Sequence, residues 1–113
     1  MDIRLKSALV VQACIKLADK SFLPISVIKK GHYERGIILL RIIDLENKSV
    51  FFRSTFDFEN KLDWQIAGKG TPLDLDKSEE FIEKEKKIDL DLWVLEIESL
   101  GKNIDIISLF NFN

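Results

Sequence analysis

The stretch 36-GIILLRIIDLENKSVFFRSTF-56 decides the fold, because it contains two strand-type segments joined by a short polar connection. Both segments are rich in β-branched and aromatic side chains, which favour β-strands. The polar residues between them favour a tight antiparallel hairpin. A three-residue loop with Asn47 in the left-handed conformation predicts that Ile42 pairs with Val50 and that Leu40 pairs with Phe52.

This register gives the predicted hairpin one apolar face and one mixed face, since side chains alternate along a strand. The apolar face holds Ile38, Leu40, Ile42, Val50 and Phe52. The opposite face holds Leu39, Arg41, Phe51 and Arg53. Two arginines on a half-apolar face need acidic partners, because a charge that is buried without a partner is costly.

Further along the chain, 92-LWVLEIE-98 predicts another strand with the same alternation. Glu96 and Glu98 would point to the same side of that strand, about 7 Å apart at a rise of ~3.3 Å per residue. The intervening positions are apolar and are expected in the core: Trp93, Leu95 and Ile97. We therefore expect Arg41 and Arg53 to pair with these two glutamates across neighbouring strands.

This charged cluster has two interpretations. In the first it is structural, and it only matches charges on a half-buried sheet face. In the second it binds a small molecule or a nucleotide, with the candidate ligand-binding residues Arg41, Arg53, Glu96, Glu98 and Asp91. Asp89 and Asp91 also form an Asp-x-Asp pattern, but aspartate is common at turns because it bonds nearby backbone amides.

The rest of the chain alternates between helical and strand-type patterns. Apolar residues at steps of three and four predict an amphipathic helix from Leu5 to Phe22, which Pro24 ends. Short strands are predicted around residues 24–31 and 64–67. A second helix is predicted to start at Asp76 with a capping box, and residues 104–110 are compatible with a last strand.

The predicted order is therefore α-β-β-β-β-α-β, with or without a final β. Consecutive strands joined by short connections argue for an α+β fold with a mostly antiparallel sheet of four to six strands. We expect the two helices to pack on one face of that sheet. A chain of 113 residues fits a single domain, residues 1–113.

Charge and cysteine content narrow the function classes. Net charge is −2, which gives no general attraction to nucleic acid or to anionic membranes. Residues 1–56 nevertheless hold ten basic and five acidic residues, net +5, whereas residues 57–113 hold seven and fourteen, net −7. The single cysteine, Cys14, excludes an internal disulfide and favours a reducing compartment, so we predict a cytoplasmic protein. We expect Cys14 to be a small buried side chain.

No catalytic constellation is visible, so we predict no catalytic residue, no metal site and no cofactor. The only histidine, His32, has no sequence partner for metal binding, and no Gly-rich phosphate loop is present. A basic loop and an apolar tail could instead contact a partner. The candidate interaction surface is Lys29, Lys30, Arg35 and Phe110.

Two stretches, "ISVIKKGHYERGIILLRI" and "FIEKEKKIDLDLWVLEIES", together resemble the alphaproteobacterial domain-of-unknown-function family 1491. The similarity extends from about Leu5 to Lys102, and its most specific part is "DLDLWVLEIE". The chain differs from the family pattern at His32 and at Leu90, where the family usually has aspartate and proline. The resemblance implies a small cytoplasmic bacterial protein and implies no activity.

These observations leave three hypotheses of function. The first is a non-enzymatic protein-binding or accessory module, which docks a partner protein or a second copy of itself. It is motivated by the half-apolar sheet face and the apolar tail, because exposed apolar patches usually mark interaction sites. The second is the ligand-binding protein described above, which could be an enzyme. The third, nucleic-acid binding through scattered lysines, is opposed by the net charge.

Overall fold

The computed structural model describes residues 5–112, which form one five-stranded sheet and three helices. The elements in chain order are α1 (Ser7–Lys20), β1 (Ile25–Lys29), β2 (Ile38–Ile43), β3 (Ser49–Phe56), β4 (Leu62–Ala67), α2 (Leu75–Ile88), β5 (Trp93–Glu98) and α3 (Ile106–Leu109). The predicted α+β fold class, the mostly antiparallel sheet and the order of its elements are confirmed.

The β2–β3 hairpin has the predicted register. Ile42 lies opposite Val50, and Leu40 lies opposite Phe52. Asn47 has a φ of 61°, the left-handed conformation that the three-residue loop requires. The Asp44 carboxylate accepts hydrogen bonds from two backbone amides of the turn. Local sequence chemistry therefore determines this part of the fold.

The strand order in space is β1-β5-β2-β3-β4, so the last strand of the chain lies between the first two. β5 is antiparallel to β1 and parallel to β2, and the other pairs are antiparallel. A parallel pair needs a long crossover connection. Here the connection from β4 to β5 runs through α2, which crosses one face of the sheet.

The two long helices pack on opposite faces, so the prediction that both lie on one face is wrong. Residues of α1 share a core with Leu40 and Leu95, whereas Ile82 of α2 shares a second core with Leu39 and Val94. The physical reason is that β2 and β5 carry apolar residues at both odd and even positions. Strands of this kind are stable only when both faces of the sheet are covered.

The segment after β5 forms the short helix α3, which corrects the predicted last strand. The Asp105 carboxylate caps this helix by accepting hydrogen bonds from two backbone amides. Phe110 follows it and lies in the core, only 2% exposed, with its ring 5.9 Å from that of Trp64. The placement of Phe110 on an interaction surface is therefore corrected, because its ring is hidden from any partner.

Helix α2 begins slightly earlier than predicted. Its N-cap is Asp74, whose carboxylate accepts a hydrogen bond from the backbone N–H of Lys77 at 2.9 Å. Asp76, the predicted cap, lies in the first turn instead. Within residues 5–112, no helix is long and apolar enough to cross a membrane.

Candidate functional site

Arg41 lies at the centre of a charged cluster between the sheet and α2, and it is only 4% exposed. Its Nε donates a hydrogen bond to Ser49 Oγ, and its Nη2 donates one to Ser78 Oγ, each at 2.8 Å. Its Nη1 donates to Glu79 Oε1 at 2.8 Å and lies 3.3 Å from Glu96 Oε1. One guanidinium thus joins β2, β3, β5 and α2.

The arrangement is suited to holding the helix on the sheet. Each of the three nitrogens of Arg41 already contacts a protein oxygen, so an anionic ligand would have to displace an internal partner. The guanidinium of an arginine presents five N–H donors in a fixed planar fork, whereas the ammonium of a lysine presents three from a single nitrogen. The geometry therefore supports the structural interpretation of the cluster.

The other predicted ligand-binding residues do not join Arg41 and Glu96. Arg53 pairs with Glu85 of α2, at 2.8 Å between Nη2 and Oε1. Glu98 is exposed at the end of β5. Asp91 is exposed in the turn before β5, where its backbone carbonyl accepts a hydrogen bond from a loop amide. The structure brings together two of the five residues.

Sequence reasoning missed the two acids that α2 contributes, Glu79 and Glu85. They lie three residues before and after the buried Ile82, so both share the inward side of the helix. That spacing was the available signal. It was ambiguous, because neighbouring glutamates and lysines at similar spacing face solvent.

The loop between β1 and β2 has a structural role that explains its two glycines. The indole Nε1 of Trp93 donates to the carbonyl of His32 at 2.8 Å, and the His32 N–H donates to the carbonyl of Asp91 at 2.9 Å. A Cβ on either Gly31 or Gly36 would overlap the Asp91 carbonyl oxygen. The loop therefore packs directly against the backbone at the start of β5.

The same loop also orders its own turn and the start of α1. The His32 Nδ1 accepts hydrogen bonds from the backbone amides of Glu34 and Arg35, at 3.1 and 3.2 Å. The Ser7 hydroxyl donates to the Gly36 carbonyl at 2.6 Å. His32 thus acts as a turn-forming side chain, and the described residues contain no cluster of three metal-ligating side chains around it or elsewhere.

The predicted basic interaction residues have different environments. Lys29 is half-buried, and its ammonium donates to the carbonyls of Leu90 and Leu92 at 3.1 and 2.8 Å, which ties the end of β1 to the start of β5. Lys30 and Arg35 are exposed. Of the three basic residues, Lys29 is thus already engaged within the protein.

Cys14 is fully buried in the α1 core, as predicted. Burial raises the pKa of its thiol to about 12, because the thiolate would lose its solvation. The thiolate is the reactive form of cysteine. The side chain is therefore an inert apolar group at neutral pH.

The two edge strands of the sheet, β4 and β1, differ in one respect: a side chain covers an outward backbone amide of β4. On β4 the N–H of Trp64 points away from β3, and the carboxylate of the neighbouring Asp63 accepts its hydrogen bond at 2.8 Å. On β1 the Glu98 N–H donates to the Pro24 carbonyl. Because backbone groups alternate in direction along an antiparallel ladder, the N–H and C=O groups of Ile25 and Val27 face away from β5. Within residues 5–112, no hydrogen bond covers this outer edge of β1.

Phe22 precedes β1 and is unusual in two respects. It is 82% exposed, and its φ of 58° lies in the left-handed region that favours glycine. It occupies the position after the end of α1, where Leu23 N–H donates back to the Ala18 carbonyl at 2.9 Å. Glycine is the usual residue at this position, so an exposed phenylalanine does not stabilise the end of the helix.

A groove of about 470 Å³ lies beside this segment, between the end of α1 and residues 102–109. Its lining includes four apolar side chains, Leu17, Leu23, Ile104 and Leu109. Lys20 and Lys102 also line it, and both are exposed. The groove is thus apolar with two basic side chains at its margin.

The fold and its internal charged cluster define a small α+β protein built on one open, mixed sheet. The family model described as protein of unknown function (DUF1491) matches residues 5–104. The chain therefore belongs to the DUF1491 family, which confirms the resemblance seen in the sequence.

Solved structures of similar proteins agree with this assignment. The chain is 25% identical to a DUF1491 family protein from Caulobacter crescentus CB15, solved by crystallography, with a TM-score of 0.71 over 83% of this chain and 87% of the other. It is also 25% identical to a protein from A. tumefaciens solved in solution, with a TM-score of 0.71 over 95% and 92%. Among curated proteins, none matches this sequence.

Proposed function

We propose that the chain is a non-enzymatic protein-binding module that accepts an extended segment of a partner protein along β1. The observation that carries this proposal is the difference between the two sheet edges. β4 covers one of its outward amides, that of Trp64, with a carboxylate, whereas on β1 neither of the outward amides, those of Ile25 and Val27, has such a cover. Unpaired strand edges bind extended peptides by adding a strand to the sheet.

Neither the second sheet face nor the C-terminal tail provides the interaction surface that the sequence led us to expect. The apolar residues of the second sheet face are buried beneath α2, and the C-terminal tail is packed against the α1 core. Exposed apolar residues in β1 and just before it support the proposal instead. Val27, Ile28 and Phe22 are 37%, 50% and 82% exposed. We further propose a cytoplasmic location, where the buried thiol of Cys14 would stay reduced.

Phe22 supports the proposal because its position costs stability. We expect Phe22→Gly to raise the free energy of unfolding by about 1 kcal/mol, since glycine adopts the left-handed conformation without a steric penalty. Thermal unfolding should show a higher Tm, by roughly 4–8 °C for a chain of this size. Asn47→Gly is the matched control, and it should change little because asparagine tolerates this conformation. A lower Tm for Phe22→Gly would show that the ring stabilises the folded chain.

Val27→Pro tests the docking edge directly. The Val27 N–H faces away from β5, so proline removes an outward donor without breaking the β1–β5 ladder. We expect the variant to fold and to bind edge-pairing peptides at least about tenfold more weakly, the equivalent of about 1.4 kcal/mol. The peptides would come from a random decapeptide library panned on the wild-type protein.

Binding of each selected peptide would be measured by fluorescence anisotropy, and amide exchange of Ile25 and Val27 by NMR. Protection of these two amides on binding supports the proposal. The matched control is Ile66→Pro on the opposite edge. The N–H of Ile66 faces away from β3, and the residue is 62% exposed. The proposal fails if no peptide is enriched, or if the selected peptides bind Val27→Pro as tightly as the wild type.

A further inference from the structure

We infer that the partner segment continues from β1 into the groove between α1 and α3, where its carboxylates pair with Lys20 and Lys102. This inference rests on the proposed function and specifies the chemistry of the partner: an extended segment that alternates apolar and acidic side chains. The occupant is thus a different, acidic protein segment and not a second copy of this chain.

The groove and β1 are adjacent along the chain. Leu23 lines the groove, and only Pro24 separates it from Ile25, the first residue of β1. A segment paired with β1 would therefore reach the groove within two or three residues. The apolar side chains of the groove would hold one apolar side chain of that segment. Phe22, which precedes Leu23 in the chain, is itself exposed.

The margin of the groove carries positive charge. Within residues 5–112, neither Lys20 nor Lys102 forms an ion pair, and Lys16 lies exposed one turn before Lys20 on α1. The acid that lines the groove, Asp105, is already engaged. Its Oδ1 accepts from two amides of α3, and its Oδ2 accepts from the Ser108 hydroxyl at 3.0 Å. The groove margin therefore offers positive charge without an internal acceptor.

The charge of the β1 segment disfavours a second copy of this chain as the occupant. Residues 22–33, which contain β1, hold two lysines and no aspartate or glutamate. Two copies paired along β1 would therefore bring mainly positive charge towards each other, and the nearest acids, Asp19 and Glu34, lie outside this segment. An acidic segment supplies that charge, and attraction between opposite charges also speeds association.

The test uses two synthetic dodecapeptides labelled with fluorescein, one alternating valine with glutamate and one alternating valine with lysine. The wild-type protein should bind the glutamate peptide at least about tenfold more tightly than the lysine peptide, and salt should weaken that preference. The double variant Lys20→Glu, Lys102→Glu should lose the preference. The matched control is Lys84→Glu, Lys87→Glu on the exposed side of α2, which should keep it.

The inference is overturned if the wild type binds neither peptide, binds both equally, or keeps its preference in the Lys20/Lys102 variant. Analytical ultracentrifugation provides a separate test, since a dimer that dissociates in Val27→Pro would make a second copy the occupant and would also overturn it. Library peptides that depend on Val27 but not on the two lysines would leave the proposed function intact while this inference fails. If affinity for the glutamate peptide depended on the two lysines but not on Val27, the groove would remain a binding site for acidic segments and strand pairing along β1 would be refuted.

Discussion

Replacing Arg41 with alanine is expected to lower the free energy of unfolding by about 3 kcal/mol, because removing one partner of a buried ion pair leaves the others without compensation. The substitution removes the donors to the buried hydroxyls of Ser49 and Ser78 and leaves Glu96, whose side chain is only 25% exposed, without its cation. Urea unfolding at neutral pH would measure the loss as a lower midpoint at an unchanged slope.

Arg53→Ala is the matched control for that experiment. Arg53 also pairs with an acid of α2, but its side chain is 34% exposed, and pairs that are partly solvated contribute at most about 1 kcal/mol. Arg41→Lys should be nearly as destabilising as alanine, because an ammonium cannot reproduce the fork of the guanidinium. If Arg41→Ala cost no more than Arg53→Ala, the cluster would not be the anchor of α2.

Gly31→Ala is expected to cost about 3 kcal/mol, at the upper end for an overpacked site. The new Cβ would overlap the Asp91 carbonyl oxygen and lie 2.6 Å from the Leu92 carbonyl carbon and from Cδ1 of Trp93. Two of these atoms belong to the backbone at the start of β5, and the indole is held by its hydrogen bond to His32. None of these atoms can move aside without a large cost in free energy, so thermal unfolding should show a large fall in Tm.

Gly68→Ala separates this overlap from backbone strain. Gly68 has a φ of 74°, but a Cβ there would make only ordinary contacts, the nearest at 3.5 Å to Phe81. Its substitution should cost about 1 kcal/mol through the left-handed conformation alone. A Gly31 variant that is no less stable than the Gly68 variant would contradict close packing of the loop against β5.

Local chemistry made the hairpin predictable. The left-handed Asn47 and the alternation along both strands were enough to place Val50 opposite Ile42. The position of β5 between β1 and β2 could not be inferred in the same way, because strand order depends on contacts between residues far apart in the chain. The same long-range information determines which strand becomes an edge, and hence where a partner could pair.

The candidate site was predictable in part for a related reason. The contact between Arg41 and Glu96 was predictable because the alternation along β2 and β5 places both side chains on one face of the sheet. Arg53 pairs with Glu85 instead of Glu98 because α2 covers this face of the sheet. The prediction had left the face uncovered and therefore offered Arg53 no partner from a helix. The apolar runs of β2 and β5 indicated that both faces of the sheet are buried, since Leu39 and Val94 on one face require burial as much as Leu40 and Leu95 do on the other.

The late arrival of β5 also shapes how the chain can fold during synthesis. β2, β3 and β4 can pair as soon as they leave the ribosome, whereas β1 contacts no other strand of the sheet until Glu98 has been made, 69 residues after Lys29 (98 − 29). At about 5–20 residues per second, that interval lasts roughly 3–14 seconds. Throughout it, the nascent chain carries the uncharged, largely apolar segment Ile25–Ile28 with neither edge paired in the sheet, which leaves this segment open to pairing with other chains.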